Sequence, residues 1–260
     1  MKRVAFSLAA AGILSVFSHG AHGEAGDYVR QAANAFEQGR FQEAAKLAEA
    51  NGHADAYAFA ARAVLAEAMC GQEQPASEIL DRAEMLARAA LGDDPEHIEG
   101  RLQLAIALSL KARAMSRTRA WQTGYGTEVR DLVEAVLIDD PTNAYAHGFM
   151  AVWHVEVVRR GGSIGASIMD ASLPEGLGHY ATAVELTPDD PGLHWQMARA
   201  LAAHNPRRHR DKIEAALSAA LAANNENALD AVMVRRASVL SQALRTLSAN
   251  DVKRLARDML

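Results

Sequence analysis

The chain has 260 residues, of which 50% are hydrophobic and only 5% aromatic, a balance that favours helices packed through small side chains. Its formal net charge of -5 provides no basic field for nucleic acid, so we expect no nucleic-acid partner. A single cysteine, Cys70, excludes an internal disulfide and is interpreted as a small core residue rather than a reactive thiol.

The first 23 residues have the pattern of a cleavable secretory signal peptide. Lys2 and Arg3 precede an apolar stretch over 4–17, and small residues stand at Ala21 and Gly23, before the expected cut. The alternative is an anchor helix, but roughly 14 apolar residues fall short of the roughly 20 that span a bilayer. No cysteine lies near the cut, so a lipid anchor there is excluded. We therefore expect export, and a periplasmic location in a Gram-negative host.

Two helix pairs are predicted in the first part of the mature chain. The segment 39–44 places a glycine, an aromatic residue two positions later and an alanine three beyond it, which resembles the turn of a tetratricopeptide repeat (TPR). Gly39 would form the tight turn, and Ala44 would let the two helices approach closely. Helical patterns over 55–70 and 76–91 predict the next pair.

Three Asp-Asp-Pro triplets organise the following units, and their prolines stand 46 and 50 residues apart. Proline and aspartate favour the first turn of a helix, so each triplet is predicted to end one helix and begin the next. The triplets are Asp93-Asp94-Pro95, Asp139-Asp140-Pro141 and Asp189-Asp190-Pro191.

Helical patterns follow each triplet, with glycine-containing loops inside the first two units. The predicted helices cover 96–119, 127–138, 142–159, 175–187, 192–204 and 209–223, and a closing pair covers 228–245 and 249–259. We therefore predict an all-α, TPR-like helical-repeat solenoid of about five helix pairs with a C-terminal capping helix pair, spanning residues 24–260.

The longer units resemble a narrower group, the periplasmic TPR-like T-component of TRAP transporter systems, and the TPR-like domain of microtubule-dynamics regulators. The segments 161–163 and 178–186 carry this resemblance. It implies an accessory component of a periplasmic transport system that binds a small ligand. The chain departs from the lipoprotein members of that group because it lacks their lipid-modified cysteine.

The sequence contains no recognised catalytic motif, so we expect no enzyme activity and no cofactor. The glycines of 161–165 lack the lysine of a phosphate-binding loop and are interpreted as a helix cap and turn. His147 and His154 are seven residues apart, whereas helical metal ligands stand three or four apart. His204 and His209 lie among arginines, which would repel a metal ion. No metal site is expected.

A ligand groove is predicted on the concave face formed by the first helix of each pair. Polar and amphipathic residues recur at comparable places in successive units: Arg101, His147, His154, His194 and Trp195. The alternative is a solvated face with ordinary hydrogen bonds between helices, with the tryptophan in the core.

Two further aromatic residues, Trp121 and Tyr125, lie in the predicted loop over 120–126. An exposed position there is unusual for aromatic side chains, which either tuck back onto the solenoid or contact a partner.

The sequence thus predicts an exported adaptor that holds a protein or peptide partner on its concave face. The alternative is a small-ligand-binding accessory component of a transport system, for which a carboxylate ligand would suit Arg101 and the histidines. An open groove would favour the adaptor and an enclosed pocket the small ligand.

Overall fold

A computed structural model describes residues 24–71 and 74–259; the signal-peptide prediction for residues 1–23 lies outside this range. All regular structure in the described residues is helical, as predicted. The helices are α1 Glu24–Glu37, α2 Phe41–Glu49, α3 Ala54–Cys70, α4 Ser77–Asp93, α5 Ile98–Ala114, α6 Arg117–Gln122, α7 Tyr125–Asp139, α8 Ala144–Ile168, α9 Leu173–Leu186, α10 Pro191–His204, α11 Arg210–Ala222, α12 Ala228–Thr246 and α13 Ala249–Asp258.

The helices form five successive pairs and a closing pair, which confirms the predicted solenoid. The pairs are α1–α2, α3–α4, α5–α7, α8–α9, α10–α11 and α12–α13, with the short α6 inserted in the third. We call the first helix of each pair its A helix and the second its B helix. Within the described part of the chain, no helix combines the length and apolarity needed to span a bilayer.

The first turn has the predicted geometry. Gly39 has φ 76°, a left-handed conformation that favours glycine, and a Cβ there would lie 2.8 Å from the Cβ of Ala228. Ala44 is fully buried, and the rings of Phe36 and Phe41 stack edge to face with centroids 5.1 Å apart. The glycine and alanine therefore have the roles that the TPR-like pattern predicted.

The later units repeat in a register that differs from the predicted one. The cap residue of each A helix stands two positions after a proline: His97 accepts from Gly100, Asn143 from Ala146 and Asp190 from Leu193, each at 3.0 Å between the side-chain acceptor and the backbone N. The equivalent prolines are Pro95, Pro141 and Pro188, which stand 46 and 47 residues apart. Of the three triplets, only the third places its proline at the first residue of a helix. The predicted spacing of 50 residues therefore compared Pro141 with Pro191, although the equivalent proline is Pro188.

Two segments predicted as loops contain helix. Residues 120–122, in the predicted loop 120–126, belong to α6, and α8 continues to Ile168 through the glycine-rich segment. The helix predicted over 96–119 is in turn interrupted after Ala114. The regularity of α8 breaks only at Gly162, where φ 62° and ψ -160° lie outside the helical region. This single residue redirects the last turns of α8.

The C-terminal pair closes the solenoid into a ring instead of only capping its end. Helix α12 packs against both α1 and α3. Arg236 donates to the carbonyl of Gly71 at 2.7 Å, and Arg113 donates to the carbonyl of Arg257 at 2.6 Å. A closed path of packed helices therefore runs through α3, α5, α7, α8, α10 and α12, and back to α3.

Candidate functional site

A cavity of about 1150 Å³ lies inside this ring. Its wall comes from the six ring helices and α6, with one residue of α1. This volume slightly exceeds the roughly 300–1000 Å³ typical of small-molecule sites. Aliphatic and aromatic side chains dominate the middle of the wall: Leu102, Ile106, Leu110, Phe149, Val152 and Met233.

Helix α5 shows how the sequence builds this wall. Leu102, Ile106 and Leu110 repeat every four residues and face the cavity. Leu104 and Leu108, between them, are buried in the core on another side of the helix. The helix is therefore apolar on opposite sides, as expected for a helix buried between a core and an apolar chamber.

One end of the cavity, which we call the acidic end, lies at the N-termini of the A helices. It comprises Glu99, Asp190, Asp230, Arg62 and Tyr145. The Arg62 guanidinium lies 3.2 Å from the Glu99 carboxylate, and Glu99 raises the pKa of Arg62. Burial, reinforced by the Asp190 charge, raises the pKa of the Asp230 carboxyl. At this end Arg62 and Glu99 therefore compensate each other, and burial favours the neutral form of Asp230.

The other end, which we call the basic end, lies towards the C-termini of the A helices. It comprises Arg113, Arg160, Arg199 and Glu156. Arg199 is buried and its guanidinium lies 3.3 Å from the Glu156 carboxylate, which also pairs with Arg159 at 2.5 Å. Although burial opposes ionisation, these two arginines hold the pKa of the Glu156 carboxyl below its usual value. The Glu156 carboxylate therefore forms ion pairs with two arginines.

Backbone carbonyls hold the other two arginines of the basic end. Arg160 donates to the carbonyls of Ala112 at 3.1 Å and Met115 at 3.0 Å, at the C-terminus of α5. Arg113 donates to the carbonyls of Arg257 and Met259, near the end of α13. The negative ends of two helix dipoles therefore favour these cations. Burial and the nearby Arg199 lower the pKa of Arg113 to about 9.

Four large exposed side chains belong to the cavity wall: Tyr145, 55% exposed, lies at the acidic end, and the other three lie on α6 and the last turns of α8. Trp121 is 58% exposed, Ile164 75% and Ile168 60%, and all three belong to the cavity wall. We call them the mouth residues. Tyr125 lies beside them in the wall, half-buried at the start of α7. The two aromatic residues noted in this segment therefore differ: Trp121 stays exposed, whereas Tyr125 packs into the cavity wall.

The five residues predicted to line the groove lie outside the cavity wall. Three of them share one structural role, because each contacts the carbonyl of the proline six residues before it. The Arg101 Nε lies 3.2 Å from the Pro95 carbonyl oxygen, the His147 Nε2 3.0 Å from that of Pro141, and the His194 Nε2 2.8 Å from that of Pro188.

The same three side chains also bind a B helix. Arg101 pairs with Asp139 at 2.5 Å. The His147 Nδ1 lies 2.8 Å from the His179 Nδ1, and the His194 Nδ1 lies 2.7 Å from the Tyr180 hydroxyl. These three residues do occupy equivalent positions in successive units, but their side chains hold the turn that precedes each A helix.

The remaining two predicted residues are structural. Trp195 is fully buried in the core of the C-terminal half. His154 is buried and its Nδ1 accepts from the backbone N–H of Ser172 at 3.2 Å. The groove assignment is therefore corrected for all five residues, since their side chains point towards turns, B helices and the core. This outcome matches the alternative of ordinary hydrogen bonds between helices.

The sequence offered partial signals for the residues that do line the cavity. The leucine and isoleucine repeat of α5 was visible but was indistinguishable from a core face. Arg160 directly follows the predicted helix over 142–159, where a cation complements the helix C-terminus. Nothing in the sequence connects Arg113 with the carbonyl of Arg257, 144 positions away. Among the described residues, no group of three or more histidine, cysteine or acidic side chains is arranged to hold a metal ion.

Comparisons with known proteins support the fold. No protein-family model matches the sequence, and no curated protein matches it. A thermophilic TPR protein of Thermus thermophilus has a similar structure, with a TM-score of 0.57 and 19% sequence identity, over 82% of this chain and 97% of that chain. The chain therefore has a TPR-like helical solenoid fold.

Proposed function

We propose that this protein is a non-catalytic binding protein that holds a small, largely apolar ligand in the cavity inside its helical ring. The observation that carries the proposal is the closure of the concave face by α12 and α13. An open TPR groove exposes its A helices to an extended partner. Here the A helices face one another across an apolar chamber, which suits a compact ligand.

This proposal favours the small-ligand alternative drawn from the sequence over the adaptor. It includes a role as an accessory component of a periplasmic transport system, in line with the resemblance of residues 161–163 and 178–186. Export rests on the signal-peptide pattern of the first 23 residues. Mass spectrometry of the N-terminus of the protein from its native host tests that step, and an intact Met1 in the cytosol would contradict it.

A protein partner is the second candidate, and the mouth residues favour it. Exposed apolar side chains grouped around an opening are typical of a surface that contacts another protein. The adaptor and the ligand carrier make different demands on the chamber. A protein partner would contact the mouth residues without entering the chamber, whereas a small ligand would occupy the chamber volume.

Filling the chamber tests the main proposal. Ile106 is half-buried in the wall, so Ile106→Trp should occupy ligand space. Nile red, a neutral apolar dye, should bind the unaltered protein at one saturable site, and Ile106→Trp should reduce that affinity at least tenfold in a fluorescence titration. Ile138 lies on the outer surface and is 78% exposed, so Ile138→Trp is the matched control and should leave dye binding unchanged. Equal binding by both variants would refute a ligand in the chamber.

A further inference from the structure

The two ends of the cavity differ in how their charges are compensated, and this difference concerns the chemistry of the ligand. At the acidic end, Arg62 and Glu99 form an ion pair. At the basic end, the wall holds three arginines and one carboxylate, Glu156, which pairs with Arg199 of the wall and with Arg159. The basic end thus has an excess of positive charge beside an apolar wall.

Arg113 and Arg160 have no carboxylate within ion-pair distance in residues 24–71 and 74–259. Their hydrogen-bond partners are backbone carbonyls at helix ends. A guanidinium carries five N–H donors, so each of these arginines keeps donors beyond the bonds that fix its position. Their side chains are therefore oriented in advance and can still bind an anion.

An anion at this end would gain from a low local dielectric. Arg113 and Arg160 are half-buried in the cavity wall, and this burial lowers their pKa values. A carboxylate accepts two parallel N–H bonds from a guanidinium and carries a single charge. A dianionic head is more strongly hydrated than a carboxylate, so its transfer to a site beside an apolar wall costs more free energy.

We infer that the ligand is an amphiphilic carboxylate, with its head at Arg113 and Arg160 and its apolar chain along the wall that includes Ile106 and Phe149. This inference rests on the proposed function, because it assigns the ligand class of the same chamber. The polar head and the apolar chain would each meet a matching surface, and the mouth residues would lie beside the entry.

Head-group specificity gives the first test. Protein stripped of copurified lipid by refolding is titrated calorimetrically with four ligands of equal chain length: dodecanoate, dodecan-1-ol, dodecyltrimethylammonium and dodecyl phosphate, all below micellar concentrations. Dodecanoate should bind at least tenfold more tightly than the alcohol and the cation, and more tightly than the phosphate. Equal affinities for dodecanoate and dodecan-1-ol would overturn the carboxylate assignment, and tighter binding of dodecyl phosphate would replace it with a phosphate head.

Variants at the basic end give the second test. Arg160→Gln and Arg113→Gln should each weaken dodecanoate at least tenfold and leave dodecan-1-ol within twofold. Arg88→Gln is the matched control, because Arg88 lies on the surface, pairs with Glu84 and Glu128 and should not alter either affinity. A folding defect would weaken both ligands, so the ratio of the two affinities reports the head-group contact even in a damaged variant. An unchanged ratio in both variants would overturn the inference.

The two proposals fail in distinguishable ways. Binding of the alcohol as tight as that of dodecanoate, with both blocked by Ile106→Trp, would preserve the chamber and refute the carboxylate. No binding of Nile red or of any of the four ligands would refute the proposed function, and the inference with it.

Discussion

The acidic and basic ends of the cavity are built by the same A helices, yet they compensate charge in different ways. At the acidic end a carboxylate and a guanidinium neutralise each other, and burial raises the pKa of a second carboxyl, Asp230. At the basic end helix C-terminal carbonyls position Arg113 and Arg160, and neither pairs with a carboxylate of the described residues. A carbonyl orients a cation but leaves its full charge in place. Positioning a cation and neutralising it are therefore separate effects: at the basic end Arg199 is paired with Glu156, whereas Arg113 and Arg160 are only positioned.

Removing the Glu156 carboxylate of the basic end should have the largest effect on stability. Glu156→Gln leaves Arg159 and the buried Arg199 without their ion pairs to this residue. Breaking a buried pair from one side costs about 3 kcal/mol, because the remaining charge stays desolvated. We expect the free energy of unfolding in urea to fall by about that amount.

The matched change at the acidic end should cost less. Glu99→Gln removes the partner of Arg62, but both side chains keep some access to water, so the expected loss is about 1 kcal/mol. Equal losses in the two variants would show that the basic end is no more poorly compensated than the acidic end.

Acidification should destabilise the two halves of the ring to different extents. Burial lowers the pKa values of His154 and His179, in the fourth pair, and of His204 and His209, in the fifth. The unfolded chain, with histidine pKa values near 6.5, then binds protons more readily than the folded chain. Stability is therefore complete above about pH 6.5 and falls as the pH is lowered below it.

Hydrogen exchange can locate this acid sensitivity. Lowering the pH from 7 to 5 should reduce the protection of α9 and α11 before that of α2 and α4. The ring of His179 stacks on His154 with centroids 5.7 Å apart, and its Nδ1 contacts His147. His179→Gln removes one titrating group, so it should flatten the dependence of stability on pH. A uniform loss of protection along the chain would contradict a histidine origin in the C-terminal half.

The fold could be predicted because its signals are local. The turn at Gly39 needs one left-handed residue and one small neighbour, and both are visible in the sequence. The caps at His97, Asn143 and Asp190 also act within three residues. Ring closure could not be predicted, because small rotations accumulate over several helix pairs before Gly39 meets Ala228.

The site was harder to predict because two physical causes produce the same pattern. A recurring polar residue on successive A helices can face a ligand or lock a turn, and Arg101, His147 and His194 do the latter. Similarly, a leucine every four residues describes a core face and a chamber wall equally well. Only the contacts between distant segments, such as Arg113 with α13, separate these cases.

The smallest effect on stability is expected at the mouth residues. Trp121 is 58% exposed, so Trp121→Ala should change the free energy of unfolding by less than about 0.5 kcal/mol in urea. The same side chain belongs to the cavity wall, and its loss removes apolar contact area from a bound ligand. Nile red and dodecanoate should therefore bind roughly threefold to tenfold more weakly, by equal factors, because the mouth contacts the chain and not the head. Ile138→Ala is the control for removing an exposed apolar side chain, and it should alter neither stability nor binding. A selective loss of dodecanoate in Trp121→Ala would place the mouth at the head-binding end and would reverse the proposed direction of the ligand.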